Sequence, residues 1–357
     1  MSATGKTIAS LAASTALLAA AGMVNEHLTT KRTPPQIDAT VPPPSVHFVT
    51  VFLGGFRGLI TDGLWIRTAM LQEQGRFLEL IQLADWITAL EPEFPQVWAL
   101  QAWNMAYNIS VLMPDDESRW QWVRHGLHLL RDRGIPATGT DPSICLELGQ
   151  LFLHKIGGPS DDHTDLYRQR WVTHVMQVIG HNDSPHEADY AALQSELRLD
   201  PDLMRQIEQH YGLIDWRLPE SQALYWAFTG LAQSPAPGTA VLCRRMIYQS
   251  LTALFEGGAL TAAPEAGAMV FTTAFDLLFG TLLAFEEALP TDPVAPVAYA
   301  AFLRRAIGQL ATFQRETEAR ACFDILHQHF PDAQTTAGYA FFTRHPRPVM
   351  PKIINIR

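Results

Sequence analysis

The sequence of 357 residues has few cysteines, few charged residues and a deficit of basic groups. Its three cysteines lie far apart, which excludes a disulfide framework and a paired-thiol metal site, so we predict that Cys145, Cys243 and Cys322 are small core residues. Charged residues make up only 17% and hydrophobic residues 47%, which excludes a disordered chain. The 26 basic and 36 acidic residues give a net charge of −10, which argues against a nucleic-acid partner, because neutralising phosphates needs clustered Lys and Arg.

Motifs for catalysis and for cofactor binding are also missing. The chain contains no G-x-S-x-G elbow, no HExxH zinc motif and no local Cys-His signature. Residues 5–7, GKT, match the end of a phosphate loop, but the first glycine of that motif would fall before Met1. We therefore expect no cofactor, no metal ion and no enzymatic activity. An acid–base site assembled from distant residues stays open as an alternative.

The first 32 residues carry an export signal. One lysine, Lys6, precedes an Ala- and Leu-rich run over 8–24, and the next charge is Glu26. An uncleaved helix reaching Leu28 would anchor the chain in the membrane, whereas the alanines at 19–21 would suit cleavage by a signal peptidase, and a soluble amphipathic helix is a third reading. Residues 1–32 are thus predicted as a signal anchor or signal peptide. The first reading makes a single-pass membrane protein with an extracytoplasmic domain, and the second a periplasmic or secreted protein.

A proline-rich linker is predicted over residues 33–46, because five prolines between 33 and 45 favour extended polyproline II. The apolar stretch that follows, FLGGFRGLITDGLWIR at 52–67, is a poor membrane span, since Arg57 and Asp62 would each cost roughly 2.5–3.5 kcal/mol near a bilayer centre. We interpret it as the first helix of the folded body.

From about residue 62 the apolar residues recur at helical spacing. FLELIQLADWITAL at 77–90 places Phe77, Leu80, Ile81, Ala84 and Ile87 on one face, and Pro and Gly clusters interrupt the chain every 12 to 20 residues. Helix starts are predicted at Asp141-Pro142, Ser184-Pro185 and Asp200-Pro201, each of which pairs a capping oxygen with a proline. Two further stripes, Leu303, Ala306, Ile307 and Leu310, then Ala319, Cys322, Phe323 and Leu326, predict a helical hairpin.

Several of these segments resemble the tetratricopeptide repeat, of the exported or membrane-anchored bacterial type. Ala319, Phe323 and Pro331 match the small, aromatic and helix-ending positions of its second helix. Weaker matches are Ala306 and Ile307, then Leu148, Gly149 and Phe152, and finally Ala84 and Pro92. The resemblance covers about a third of the chain. It implies an all-α fold, an α-α superhelix of antiparallel hairpins over 47–342 with an N-terminal hydrophobic helix and a C-terminal tail over 343–357.

Such an array exposes a continuous surface that binds peptides or protein segments, so the resemblance implies a scaffold. We predict the binding site in one aromatic and amide-rich stretch, because Trp and Tyr anchor interfaces and a buried Asn pair needs hydrogen-bond partners. The alternative is that these aromatic side chains fill the core. The predicted site consists of Trp98, Trp103, Asn104, Tyr107, Asn108, Trp120 and Trp122.

Two other clusters have simpler explanations. HNDSPHEAD at 181–189 offers metal-ligating side chains without a metal-site spacing. Asp215 and Glu220 beside Trp216 resemble a carboxylate pair for glycan cleavage, but Arg217 is expected to pair with Asp215 or with a neighbouring loop, and Glu220 to lie in a helix first turn. A solvated loop and helix start is predicted for Asp161, Asp162, His163 and Asp165. The sequence thus predicts a non-enzymatic, membrane-tethered scaffold for protein interaction at the cell envelope; the alternative is an envelope enzyme of the glycan-cleaving type.

Overall fold

The fold is described by a computed structural model over residues 57–180, 190–233, 235–263, 268–343 and 352–355. Most of these residues are helical, which confirms a mainly helical protein. Contacts divide the chain into a unit that ends at Gln101 and a larger unit that begins at Ala102. The predicted anchor and linker lie outside the described residues. In the part that is described, no helix combines the length and the apolar character that crossing a membrane requires.

The N-terminal unit contains a helical hairpin, α1 (Arg57–Glu73) and α2 (Phe77–Leu90), joined by a turn in which Gly75 has a φ of 67°. Helix α1 confirms that residues 57–67 are helical rather than looped. Of the stripe predicted on α2, Leu80, Ala84 and Ile87 are buried, so this face packs as expected. The third helix, α3 (Pro95–Trp103), begins at a proline. The boundary between the two units, after Gln101, falls within this helix.

The helices of the larger unit follow the predicted breaks. Asp141 accepts a hydrogen bond from the backbone N–H of Ser143, and Asp200 accepts one from that of Asp202, so two of the three predicted caps are confirmed. The third, at Ser184-Pro185, lies outside the described residues. The helices are α4 (Asp116–His128), α5 (Ile135–Thr138), α6 (Pro142–Gln150), α7 (Thr164–Ile179), α8 (Tyr190–Ala192), α9 (Pro201–Tyr211), α10 (Pro219–Ala232), α11 (Pro237–Gly257), α12 (Leu278–Ala288), α13 (Ala295–Thr312), α14 (Glu316–His329), α15 (Ala333–Thr336) and α16 (Tyr339–Thr343).

Wider π-helical turns continue several of these helices. A π-helix bonds residue i to i+5 and is uncommon, and it is found frequently at functional sites. The first directly extends α3, and the third extends α6, so both shift the side chains that follow relative to a regular helix. The four in the described chain are π1 (Asn104–Ile109), π2 (Leu129–Gly134), π3 (Leu151–Ile156) and π4 (Leu193–Leu197).

The predicted C-terminal hairpin is formed by α13 and α14, which pack against each other. Leu303, Ala306, Ile307 and Leu310 are all buried, and so are Ala319, Cys322 and Leu326 on the facing helix. All three cysteines of the chain are buried and unbonded to one another, which confirms them as core residues.

A small antiparallel sheet departs from the all-α expectation. It has the order β1-β2-β3, formed by β1 (Ala259–Ala263), β2 (Ala268–Thr272) and β3 (Lys352–Asn355). The register pairs Ala259 with Thr272 and Phe271 with Lys352, so part of the predicted C-terminal tail is the third strand. The strands are short, β1 is rich in alanine, and β3 lies about 80 residues beyond β2. Local periodicity therefore did not reveal them.

Two buried arginines connect this sheet to the helices. Arg217 donates two hydrogen bonds to Asp215, at 2.8 and 2.6 Å, and a third to the carbonyl of Leu260 on β1 at 3.2 Å. The guanidinium of Arg168 lies over the ring of Phe271 on β2, 5.0 Å from its centroid. The predicted pairing of Asp215 with Arg217 is confirmed, and the pair also fixes the position of β1.

Candidate functional site

Three of the predicted site residues lie in the core. Trp98, in the N-terminal unit, is buried and donates its indole N–H to the carbonyl of Pro92 at 2.9 Å. Trp120 is buried in the larger unit and stacks on Tyr167 with ring centroids 6.3 Å apart, while Trp122 is buried with its ring edge toward His125. These side chains serve packing, as the core interpretation of the cluster predicts for them.

The other four residues lie together at the start of π1. Trp103 is 46% exposed and stacks on Tyr107, with ring centroids 5.7 Å apart and an angle of 23° between the rings. Beneath them Asn104 is buried and accepts a hydrogen bond from the amide of Asn108 at 3.0 Å. The two asparagines thus form a hydrogen bond with each other. The exposed part of the predicted site is the Trp103–Tyr107 stack.

A buried lysine on π3 supports this stack from below. Lys155 is 1% exposed, and its ammonium lies 5.2 Å from the ring centroid of Tyr107 and 5.2 Å from that of Tyr167. The same ammonium forms an ion pair with Asp161, which also accepts a hydrogen bond from the Tyr167 hydroxyl at 3.3 Å. A cation between two aromatic faces is favourable because the ring quadrupole attracts it. Lys155 therefore fixes the position of the Tyr107 ring.

The Lys155–Asp161 pair was missed by sequence reasoning, which treated Asp161 as part of a solvated loop. The loop at 161–163 and the helix start with Asp165 in its first turn are as expected, but Asp161 is only partly exposed: it pairs with Lys155 and accepts a hydrogen bond from the backbone N–H of His163 at 2.8 Å. A signal was available in the sequence. Lys155 is the only lysine between Lys31 and Lys352, and it stands in the apolar stretch LFLHKI. A single lysine in an apolar helix needs a counter-charge, since unpaired buried charges are costly.

Burial and the ion pair shift the pKa values of this cluster. Burial lowers the pKa of Lys155, and the hydrogen bond and charge of Asp161 offset this only in part. Burial alone would raise the pKa of Asp161, but the hydrogen bonds from Lys155 and from the His163 backbone outweigh it, so that pKa is lowered. Burial, then the charges of Glu147 and Asp161, raises the pKa of Tyr107, which stays a neutral phenol.

A groove lies along α6, the helix that leads into π3. The Tyr107 hydroxyl lies 3.4 Å from Nδ1 of His154, which is exposed on π3. About two turns earlier along the chain is Glu147, which lines a groove of about 540 Å³ between α6 and α11. We call this groove the Glu147 groove. Its lining residues are Ser143, Leu146, Glu147, Gln150, Thr239, Leu242, Arg245, Met246 and Gln249.

Comparison with known proteins gave no relative. No family model, curated protein or solved structure matches this chain. The resemblance to the tetratricopeptide repeat therefore stays a prediction, and the function has to be argued from the geometry of the site.

The residues proposed for glycan cleavage are occupied by structural contacts. Asp215 is buried against Arg217, and Glu220, which lies in the first turn of α10 as expected, is only 3% exposed and forms an ion pair with Arg168. Each carboxylate is thus held by its own arginine, which leaves neither open to a substrate. The cluster at 181–189 lies outside the described residues. Among the residues that are described, no group of three or more His, Cys, Asp and Glu side chains is placed to hold a metal ion.

We expect Asp161→Asn to lower the free energy of unfolding by about 2 kcal/mol at pH 7, because Lys155 would stay buried without its counter-ion. The estimate lies below the roughly 3–5 kcal/mol of a fully buried pair, since Asp161 is partly exposed. The folded pKa of Asp161 is lowered, so its contribution is present above the unfolded value of about 3.9 and is lost as the pH falls through the folded value. Urea unfolding at several pH values should show that the free energies of unfolding of wild type and Asp161→Asn become closer as the pH falls.

The matched control is Asp162→Asn, at the exposed neighbouring position, which should change stability by no more than about 0.5 kcal/mol. If Asp161→Asn and Asp162→Asn lost the same stability, or if the stability lost by Asp161→Asn were the same at every pH, Asp161 would not stabilise the buried ammonium.

Proposed function

We propose that this protein is a helical-repeat scaffold that binds an extended protein segment on the surface around Trp103 and Tyr107. The observation that carries the proposal is the exposed Trp103 ring stacked on the partly buried Tyr107, whose ring lies over a buried cation. Trp and Tyr are enriched at the energetic centres of protein interfaces because they bury large apolar area and keep a polar tip. The stack is also pre-positioned by Lys155, so binding would not need to order these rings.

The surroundings of the stack suit a protein partner. Val111 and Leu112, in the turn that follows π1, are exposed beside Pro114 at the end of the same helical segment. Asn108 and His154 border the stack with polar groups that can bond a peptide backbone. An apolar centre with a polar rim is the usual composition of an interface.

The wider architecture is part of the same proposal. Helices α10 and α11 pack as consecutive neighbours, and α6 packs on α10 although about 70 residues separate them. Layers of this kind are compatible with the stacked hairpins of a tetratricopeptide-like α-α superhelix. The N-terminal apolar run would tether the scaffold to the membrane and the proline-rich linker would hold it away from the surface, which places the interaction at the cell envelope.

We expect Trp103→Ala to weaken binding of a selected peptide about 30-fold, the loss that corresponds to a hot-spot side chain worth about 2 kcal/mol. Peptides would be selected from a random 12-residue display library on the full-length chain in mild detergent, and affinities measured by fluorescence anisotropy. The melting temperature should stay unchanged, because half of the indole already contacts solvent. The control is Phe279→Ala on α12, which removes an exposed aromatic ring elsewhere in the same unit.

The proposal fails if Trp103→Ala and wild type bind the selected peptides equally well. The enzymatic alternative has its own assay, in which the full-length chain is incubated with cell-wall glycan and the products are analysed by mass spectrometry. Release of soluble fragments by the wild-type chain would favour that alternative.

A further inference from the structure

Glu147 stands apart from the other acidic groups near the candidate site. The neighbouring acids have basic partners: Asp161 pairs with Lys155, Asp116 with His163, and Glu117 with Arg170. Within the described part of the chain the Glu147 carboxylate has neither a hydrogen bond nor an ion pair, and burial alone raises its pKa. A half-buried carboxylate without a counter-charge is an unfavourable arrangement for stability by itself.

Among the described residues that line the Glu147 groove, the one basic side chain is already engaged. Arg245 donates to Asp292 at 2.6 and 3.0 Å, and Asp292 also accepts from the Tyr248 hydroxyl at 3.1 Å. The Arg245–Asp292 pair is therefore close to neutral, and it does not supply the charge that Glu147 lacks. The groove retains an uncompensated negative site.

The rest of the lining suits a long cationic side chain. Leu146, Leu242 and Met246 form the apolar part, along which the methylene stem of a lysine or arginine can lie. The amides of Gln150 and Gln249 and the hydroxyls of Ser143 and Thr239 provide hydrogen-bonding groups around it. The protein as a whole is acidic, with a net charge of −10, which favours approach of a basic partner.

The length of the surface favours a segment over a small amine. Ser143, Glu147, Gln150 and His154 follow one another along one face of α6 and π3, and His154 leads to the Tyr107 ring. Eleven residues of helix span roughly 16 Å, which is the length of about five residues of extended peptide. A chain that lies on this face would reach both the aromatic stack and Glu147.

We propose that the Glu147 groove binds a lysine or arginine side chain of the partner segment whose neighbouring residues contact Trp103 and Tyr107. This proposal rests on the proposed function and specifies its partner as basic. The Glu147 carboxylate takes the ammonium or guanidinium as its ion-pair partner, and the groove covers the stem of that side chain. The Trp103–Tyr107 stack contributes most of the affinity, and Glu147 makes the site specific for a segment with a positively charged side chain.

The test is a peptide selection on three forms of the full-length chain: wild type, Glu147→Gln and Glu196→Gln. The last variant removes the same charge at an exposed position on π4. We expect lysine or arginine to be enriched at one position of the peptides selected by wild type and by Glu196→Gln, and not by Glu147→Gln. Replacing that basic residue with norleucine should weaken binding about tenfold to wild type and less than twofold to Glu147→Gln.

The outcomes separate this proposal from the proposed function. If the selected peptides need Trp103 but show no Glu147-dependent basic residue, this proposal is wrong and the scaffold function stands. If no peptide depends on Trp103, the scaffold function is wrong. Spermidine serves as a separate probe by calorimetry: Glu147-dependent binding of spermidine without any peptide binding would assign the groove to a free amine and overturn the basic segment. Equal melting temperatures of the three forms confirm that folding is not affected.

Discussion

Gly280→Ala is expected to lower the free energy of unfolding by about 3 kcal/mol, the upper end of the usual cost of overpacking. A Cβ at this position of α12 would lie 1.8 Å from the carbonyl oxygen of Tyr211 and 2.6 Å from its carbonyl carbon. Both atoms belong to the backbone of α9, which cannot rotate away as a side chain would. The Tyr211 hydroxyl also donates to Glu287 on α12 at 2.8 Å, so the two helices are held together on both sides of the contact.

Thermal unfolding would show this as a fall in melting temperature of roughly 6–12 °C for a unit of this size. Gly308→Ala is the matched control, because Gly308 also lies within a helix, α13, but a Cβ added there would meet no atom within 4 Å. There alanine should stabilise the helix by up to about 1 kcal/mol. A melting temperature within about 2 °C of wild type for Gly280→Ala, where a shift several times larger is expected, would mean that α9 and α12 are not in contact in solution.

Arg168→Met should lower the free energy of unfolding by about 3–5 kcal/mol, the range found when one partner of a buried ion pair is removed. Arg168 is 8% exposed, pairs with Glu220 and donates to the carbonyl of Gly157 at 3.0 Å. Without it, the Glu220 carboxylate would remain buried among α7, α10 and the loop after π3. The contact with Phe271 would be lost as well, which weakens the attachment of the sheet.

The control lies two residues away on the same helix. Arg170 pairs with Glu117 at 3.1 Å, but both side chains are about half exposed, so Arg170→Met should cost less than about 1 kcal/mol. The double variant Arg168→Met with Glu220→Met should recover much of the loss, because replacing a whole buried pair by apolar groups is often neutral. Denaturant unfolding of wild type and these variants measures the differences. Equal losses for Arg168→Met and Arg170→Met would contradict a structural role of the buried pair.

The candidate site was predictable in part. The stretch 98–122 was marked by its aromatic and amide residues, and Trp103, Asn104, Tyr107 and Asn108 do lie together at the start of π1. Spacing did not separate these four from Trp98, Trp120 and Trp122, because aromatic residues recur at helical steps in cores and at surfaces alike. The solvent exposure of each side chain distinguishes a surface residue from a core residue, and that exposure depends on which helices pack on which faces.

The lone lysine at 155 signalled in the sequence that it needs a counter-charge, but for a related reason local patterns identified neither the partners of Lys155 nor the importance of Glu147. Each lies on a helix whose pattern of apolar residues is ordinary, and its importance comes from what faces it: two aromatic rings and Asp161 for Lys155, and the absence of a counter-charge among the described residues for Glu147. Such juxtapositions depend on the packing of π1, π3 and α11, which no single segment encodes.

By itself the sequence determined the helical character of the chain, the caps at Asp141 and Asp200, the buried faces of α2, α13 and α14, and the Asp215–Arg217 pair. All of these depend on residues within a few positions of one another, where periodicity and side-chain chemistry are sufficient. The tertiary structure alone decided the pairing of β3 with β2, the ion pair of Arg168 with Glu220, and the surface formed by Trp103, Tyr107, His154 and Glu147. These contacts join residues about 40 to 90 positions apart, so they exist only once the helices have packed.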